Sequence, residues 1–540
     1  MSVRSAFSRA HQCRYCFILA VTMTRWFRYL LILAAALLSA CAHLSGSNAE
    51  PVTAIDTGQL RGSRVDGVLA FRGVPYAQPP VGEWRWRAPQ PAAAWDDVRS
   101  AIDYGASCAQ SRSAMFSLPL DHLSEDCLTL NVWTPALRPM TPMPVMVWIH
   151  GGGFSAGSGN LPQLNGTAIP RQGVVVVTIN YRLAMFGFLA HPALVSGGET
   201  AGSYGLLDSV AALQWVQRNI HAFGGDPGRV TIFGESAGAD MVNYLLVSPA
   251  ARGLFAQAIS QSSSVGMVPA PRLEQRVGFN PPAAQLAQSW IDKLGLPANA
   301  DIAASLRSLS TEQLLAAMGE RDRFTPIVDG RILPDQPGRL FVLGRQQKVP
   351  YMTGGNSWEA SLGRMIGGGF SPAFAARLVP AADKARLYPG LSGDALDDAV
   401  FADLVILSQS RYLANQMYAL RVPVHVYHFS RVADDRRARQ PGAAHADDIA
   451  FVMGTLDAET DLARVTEQDR SISRLMRDYW VEFARRGDPN RTGLPAWPAY
   501  EPGSARVLEI GDEIAVRDDF LAERMEFHMQ RGQEMLERSP

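Results

Sequence analysis

The chain has 540 residues, 47% of them apolar and 19% charged, with a formal net charge of −1. This composition excludes a disordered or fibrous chain and is enough to bury a large core. Acidic and basic residues nearly cancel and no long basic run occurs, which argues against nucleic acid as a partner.

The first forty residues carry Arg4, Arg9, Arg14, Arg25 and Arg28, no acidic residue, and the apolar run from Tyr29 to Leu38. A basic stretch ahead of an apolar run too short to span a bilayer comfortably reads as a secretory signal, with an uncleaved membrane anchor as the alternative. The segment from Met23 is a complete signal by itself, so Met1 and Met23 are both candidate starts. Leu38-Ser-Ala-Cys41 resembles a bacterial lipobox, in which cleavage before Cys41 leaves that cysteine to be acylated. A plain small-residue cleavage site after Ala40 is the alternative. The expected division is a signal over 1–40, a tether over 41–50 and one α/β domain over 51–540. The protein is then exported, either lipid-anchored in the cell envelope or periplasmic or secreted, and meets a membrane only through its amino-terminal anchor. Loss of residues 1–40 takes the net charge to −6.

Cys13 and Cys16 leave with the signal and Cys41 is the candidate lipid anchor, so Cys108 and Cys127 remain as an even pair in an oxidising compartment. A bond between them closes a loop of eighteen intervening residues, worth on the order of 3 kcal/mol by chain entropy.

From residue 52 onward, short β-branched runs alternate with longer amphipathic stretches, the pattern of an α/β sheet covered by helices. Val145–Ile149 and Val174–Ile179 are continuous apolar runs, as in strands buried on both faces. Leu206 to Ile220 reads as a crossover helix, and Val230–Phe233 as the next strand. The segments 270–320 and 360–420 are rich in Ala, Leu and Pro, read as interrupted helices and are expected to cap the site. Val349–Thr353 is strand-like and followed by a turn over Gly354–Ser357, and Val424–Phe429 is a later strand. Tyr479–Arg485 is expected to be a helix ended at Gly487, and 511–537 a charged terminal helix with a solvated face.

Gly234-Glu-Ser-Ala-Gly238 sits between the strand 230–233 and the helix-like stretch from Ala239, which is the context of a nucleophile elbow. A serine hydroxyl is a poor nucleophile at neutral pH, and such a turn lifts Ser236 clear of the sheet, where a base can reach it. Gly153-Phe-Ser-Ala-Gly157 also fits the pattern, but Ser155 is followed by Gly, Ser, Gly and Asn with Pro162 soon after, so no helix starts there. His150-Gly-Gly-Gly-Phe154 directly follows a buried strand and is the candidate oxyanion loop, with the amides of Gly152, Gly153 and Ala237 as donors.

Of ten histidines, His425 and His428 lie in a strand, His528 in the terminal helix, and His11 and His43 in the signal and tether. His445 stands in a loop after the strand 424–429, where a general base belongs. Between Ser236 and His445 the candidate acids are Glu359 and, as a rival, Asp329 in Val328-Asp-Gly330, which reads first as a turn.

Taken together these residues resemble the type-B carboxylesterase family, which includes the cholinesterases, from about residue 52 to 500. The resemblance rests on Phe71-Arg-Gly-Val-Pro-Tyr-Ala77, Ser124-Glu-Asp-Cys-Leu128 with Asn131-Val-Trp133, Asn180-Tyr-Arg182, Phe223-Gly-Gly-Asp-Pro227, the elbow, Gly487-Asp-Pro-Asn490 and Leu494-Pro-Ala-Trp-Pro498. It implies an α/β-hydrolase fold with a large mostly parallel sheet, a Ser-Glu-His triad, and a first disulfide at Cys108 and Cys127. It places the acid at Glu359, within Asn356-Ser-Trp-Glu-Ala360, where Trp358 and Ala360 depart from the family pattern. His445, followed by Ile449–Gly454, matches the catalytic-histidine segment. Residues 109–126 contain no tryptophan, whereas in cholinesterases that loop carries one that binds the choline cation, so a general bacterial carboxylesterase is favoured. The implied chemistry is hydrolysis of a small-molecule ester through an acyl-enzyme on Ser236, with no metal and no organic cofactor. Amide, carbamate or lactone hydrolysis is the alternative with the same residues, and a non-catalytic adhesion relative is disfavoured because all three positions are filled.

Overall fold

The computed structural model describes residues 50–111, 120, 122–195, 201–319, 322–458 and 464–538. The signal, the lipobox and Cys41 lie outside the described residues. Residues Pro51–Pro540 form one compact unit.

Its centre is an eleven-stranded mixed sheet. In chain order the strands are β1 (Ser63–Val65), β2 (Val68–Pro75), β3 (Thr129–Thr134), β4 (Met143–Ile149), β5 (Val175–Ile179), β6 (Gly225–Glu235), β7 (Gln257–Gln261), β8 (Tyr351–Asn356), β9 (Val424–Phe429), β10 (Val507–Ile510) and β11 (Ile514–Arg517). Across the sheet the order is β11-β10-β9-β8-β7-β6-β4-β5-β3-β2-β1. From β5 to β10 all neighbours are parallel, and antiparallel pairs close both edges.

Period-two alternation sorts the apolar runs onto two faces. Val145, Val147 and Ile149 of β4 pack in one core with Leu206, Leu213 and Val216 of helix α1 (Tyr204–Asn219) and Met241 and Leu245 of helix α2 (Ala237–Val247). Met146 and Trp148 point the other way, into a core with Met476, Tyr479, Trp480 and Phe483. Both faces of the parallel strands are covered, which is why these runs show no polar alternation.

The register aligns the carboxyl ends of the parallel strands. Ile149 pairs with Gly234, Glu235 with Gln261, Gln261 with Gly354 and Asn356 with Phe429. The loops that follow β4, β6, β8 and β9 therefore emerge side by side, the position at which α/β sheets bind ligands.

Several sequence expectations are corrected. Gly354–Asn356 continue β8 instead of forming a turn, because they pair with Tyr427–Phe429. Residues 511–517 are not helical: β11 folds back on β10, and the terminal helix runs over Ala522–Glu537. That helix is not merely solvated, since Met525, His528 and Met529 are buried. The helix ending at Gly487 begins earlier than expected, at Glu467, where Thr466 and Asp469 form a capping box. The 360–420 segment contributes Leu362, Met365 and Ile406 to the wall of the central cavity, whereas among the described residues the 270–320 segment contributes nothing to it. The latter packs instead around Arg85, whose Nη1 donates to the carbonyls of Leu306 and Leu309 at 3.0 and 2.9 Å.

Candidate active site

Ser236 occupies the turn between β6 and α2 with φ 56° and ψ −127°, a conformation that costs a non-glycine residue free energy. Close packing enforces it. A Cβ on Gly234 would lie 2.6 Å from the Ile149 carbonyl oxygen, and one on Gly238 would run into the same atom. The flanking glycines thus let α2 start directly against the end of β4, while the serine itself carries the left-handed φ. Its amide donates to the Gln261 carbonyl at 2.9 Å, and its carbonyl accepts from Asp240 N at 2.9 Å. Ser155 lies in a turn, with Oγ donating to the Gly153 carbonyl at 3.2 Å.

The loop after β4 folds over the same point. Gly152 has φ 107° and Gly153 φ 60°, and the Gly152 carbonyl accepts from the amides of Ser155 and Ala156 at 3.1 and 3.0 Å. Gly151 sits so close to the elbow that a Cβ there would lie 3.2 Å from Ser236 Cβ. Among the described residues, the amides of Gly152, Gly153 and Ala237 donate to nothing, and all three residues line one cavity with Ser236. His150 anchors the loop: its ring stacks on Tyr181 at 4.3 Å between centroids, and Tyr181 OH donates to the His150 carbonyl at 2.9 Å. Burial pushes the His150 pKa down to about 4, so its ring is neutral.

His445 stands in the loop after β9, and its amide donates to Ser361 Oγ at 2.8 Å. Its Nδ1 lies 2.6 Å from Glu359 Oε2, which makes Nδ1 the protonated nitrogen of the neutral ring and leaves Nε2 as its acceptor. Glu359 is fully buried and its Oε1 also accepts from Ser262 Oγ and Asn356 N, each at 2.6 Å. The loop holding Glu359 is fixed despite its departures from the family pattern. Trp358 N donates to the Ala443 carbonyl at 2.8 Å, its indole donates to Asp398 at 2.8 Å, and Asn356 Nδ2 donates to the Ala444 carbonyl at 2.7 Å. The rival acid Asp329 is committed to a turn, with Oδ1 accepting from the amides of Arg331, Ile332 and Leu333.

On its other edge, His445 Nε2 faces Glu235 Oε1 at 3.1 Å without a hydrogen bond. Among the described residues no hydrogen bond joins it to Ser236 Oγ either, as is common before substrate binds. Burial alone would lower the His445 pKa, but the carboxylates of Glu235 and Glu359 outweigh it and raise it to about 9. Burial pushes Glu235 up to about 8, with His445 opposing. Asp448 lies behind them, buried and raised by burial, accepting from Gln261 Nε2 at 2.8 Å and Tyr427 OH at 2.9 Å. The sequence reading did not single out Glu235, Ser262 or Asp448.

The cavity holding Ser236, His445 and the glycine loop measures about 650 Å³, and much of its wall is apolar, including Phe154, Leu362, Met365, Phe370 and Ile406. Cys108 and Cys127 form a disulfide with S–S 2.08 Å. Among the described residues no helix is long and apolar enough to cross a membrane.

The model of the Carboxylesterase family matches residues 49–367 and 392–528. Para-nitrobenzyl esterase of Bacillus subtilis (strain 168) is 35% identical over 496 residues, covering 86% of this chain and 95% of that protein. Fumonisin B1 esterase of Sphingopyxis macrogoltabida is 34% identical over 549 residues, covering 94% of this chain and 96% of that protein. Among solved structures, a PNB esterase superposes with a TM-score of 0.77 at 31% identity, over 88% of this chain and 99% of that one. A Geobacillus stearothermophilus carboxylesterase gives a TM-score of 0.77 at 33% identity, again over 88% and 99%. The chain belongs to the carboxylesterase family, has the α/β-hydrolase fold, and is a carboxylic ester hydrolase.

Proposed function

We propose that the protein hydrolyses small-molecule carboxylic esters through an acyl-enzyme on Ser236, with His445 as general base and Glu359 as the acid that orients it. The observation that carries this reading is the 2.6 Å pairing of His445 Nδ1 with the buried Glu359, at the edge of a cavity that also holds Ser236 and three unoccupied amides.

Ser236 Oγ attacks the ester carbonyl carbon while its proton passes to His445 Nε2. The amides of Gly152, Gly153 and Ala237 meet the oxyanion, each worth on the order of 3 kcal/mol of barrier. The C–O bond then breaks, the alcohol leaves with the proton from His445, and the acyl group stays on Ser236. Water, deprotonated by His445, attacks the acyl carbon and returns Ser236 and the carboxylic acid. Glu359 stabilises the imidazolium that forms and holds the ring in its tautomer.

Relatives are named for p-nitrobenzyl esters, fumonisin B1 and cocaine, chemically unlike substrates. The cavity lining, more than the family, therefore sets the preference, and its apolar wall favours esters with a sizeable apolar group. Export is part of the same proposal, supported by the basic and apolar amino terminus and by the disulfide. The lipobox-like Leu38-Ser-Ala-Cys41 supports acylation of Cys41, and palmitate labelling should be lost in Cys41→Ala.

The decisive experiment compares wild type with folded Ser236→Ala. Wild type should turn over p-nitrophenyl butyrate and be labelled by a fluorophosphonate, and the variant should do neither. Wild-type turnover by Ser236→Ala would refute the assignment.

A further inference from the structure

The mechanism above leaves two buried acids of the cavity wall, Glu235 and Asp240, unused. Asp240 lies one turn after Ser236 on α2, in the otherwise mostly apolar sequence AGADMVNYLLV. It is 6% exposed and lines the same cavity as Ser236. Its Oδ1 accepts from Ser263 Oγ, Ser264 N and Val265 N at 2.7, 2.8 and 3.1 Å, and its Oδ2 accepts from Ser264 Oγ at 2.9 Å. Every one of these donors is neutral, and among the described residues Asp240 makes no ion pair. Two amides and two hydroxyls converging on one carboxylate form an anion cradle. They favour the ionised form, while burial, the larger effect, leaves its pKa raised.

A charge placed in such a wall acts over a long range, because the apolar lining screens it poorly. Leu362, Met365, Phe370 and Ile406 supply no counter-charge. Arg323 also lines the cavity, but it is exposed, where water and salt weaken its field. Glu235, raised to about 8, adds no negative charge at neutral pH, and His445, raised to about 9, is balanced by Glu359 at 2.6 Å. Asp240 is therefore the buried acid of this wall without an ion-pair partner among the described residues.

We propose that Asp240 is a specificity-determining residue that selects esters carrying a positive charge, a quaternary or protonated ammonium, and disfavours esters carrying a carboxylate. The inference rests on the ester-hydrolase reading of the same cavity and names its substrate class. It differs from cation recognition by an aromatic face, since the disulfide loop holds no tryptophan.

The test uses isosteric pairs. On the acyl side, p-nitrophenyl 4-(trimethylammonio)butyrate is compared with p-nitrophenyl 5,5-dimethylhexanoate, its carbon isostere. On the alcohol side, butyrylcholine is compared with 3,3-dimethylbutyl butyrate. The two arms tell which half of the ester lies against Asp240. In at least one arm wild type should favour the cation in kcat/KM, and Asp240→Asn should lower that cation-to-isostere ratio about tenfold, mainly through KM. Asparagine keeps the cradle, because Oδ1 still accepts three bonds and Nδ2 can donate to Ser264 Oγ, so a purely structural role would leave the ratio unmoved. Equal ratios in wild type and Asp240→Asn in both arms overturn the proposal. Should the variant not fold, the wild-type ratio decides: above one in either arm supports it, and at or below one in both overturns it. Failure of the parent reading looks different, since then no ester is hydrolysed or Ser236→Ala retains full activity.

Discussion

Glu235 Oε1 lies 3.1 Å from His445 Nε2, on the edge of the imidazole opposite the one held by Glu359. A base flanked by two carboxylates binds its proton more tightly than a free histidine, and here its pKa is raised to about 9, burial being outweighed by the two acids. Because the base must be neutral to accept a proton from Ser236, kcat/KM should fall as pH drops through this raised value instead of near 6.5. Glu235→Gln removes one of the acids and lowers the histidine pKa, so the acid limb of the pH profile should move down by about one to two units. A limb that stays in place in the variant would refute the coupling.

Glu359→Gln should leave the fold intact and reduce kcat by about three to four orders of magnitude, since an amide can neither enforce the Nδ1–H tautomer nor offset the imidazolium charge. Steady-state kinetics with p-nitrophenyl butyrate measure it. A loss of less than tenfold would mean that another group orients His445.

Gly152→Ala tests the glycine loop. Gly152 has φ 107°, and a Cβ there would run into the Ala156 carbonyl, so the loop must shift and carry its amides away from the oxyanion position. We expect kcat to fall by about 10² to 10³ with a smaller change in KM. An unchanged kcat would show that the developing charge is met elsewhere.

Arg182 and Asp208 carry a prediction about stability. Both are buried, and Arg182 donates through Nε at 2.8 Å, Nη2 at 2.7 Å and its own amide at 3.0 Å to the one carboxylate. Asp208→Ala leaves the guanidinium buried and unpaired, which should cost about 3 to 5 kcal/mol in urea denaturation. A cost below about 1 kcal/mol would mean that water or a rearranged acid replaces the partner.

The parts of the molecule legible in the sequence were those whose meaning is local. Val145–Ile149 is buried on both faces, and its continuous apolar run therefore shows as a central strand in the sequence. Residues 511–517 do not show as a strand in the sequence because β11 is an edge strand. Its residues are half-buried or exposed, so little apolar patterning distinguishes Ile514–Arg517 from the charged helix that follows. Glu359 was preferred over Asp329 on chain position and then assigned through the resemblance; the three amides gathered on Asp329 would have decided the same question from structure. Glu235 stayed hidden because it fills the unspecified place in the elbow pattern, and its partner His445 comes from a loop after a different strand. Ser262 and Asp448 were invisible for the same reason, being defined by contacts across the sheet.

The left-handed backbone at Ser236 limits which nucleophiles this elbow can ever carry. A β-branched side chain is a severe outlier at φ 56°, so threonine is barred by its methyl group whatever its chemistry. Cysteine, unbranched at Cβ, fits the same backbone. Sulfur can therefore take the place of oxygen here without rebuilding the turn.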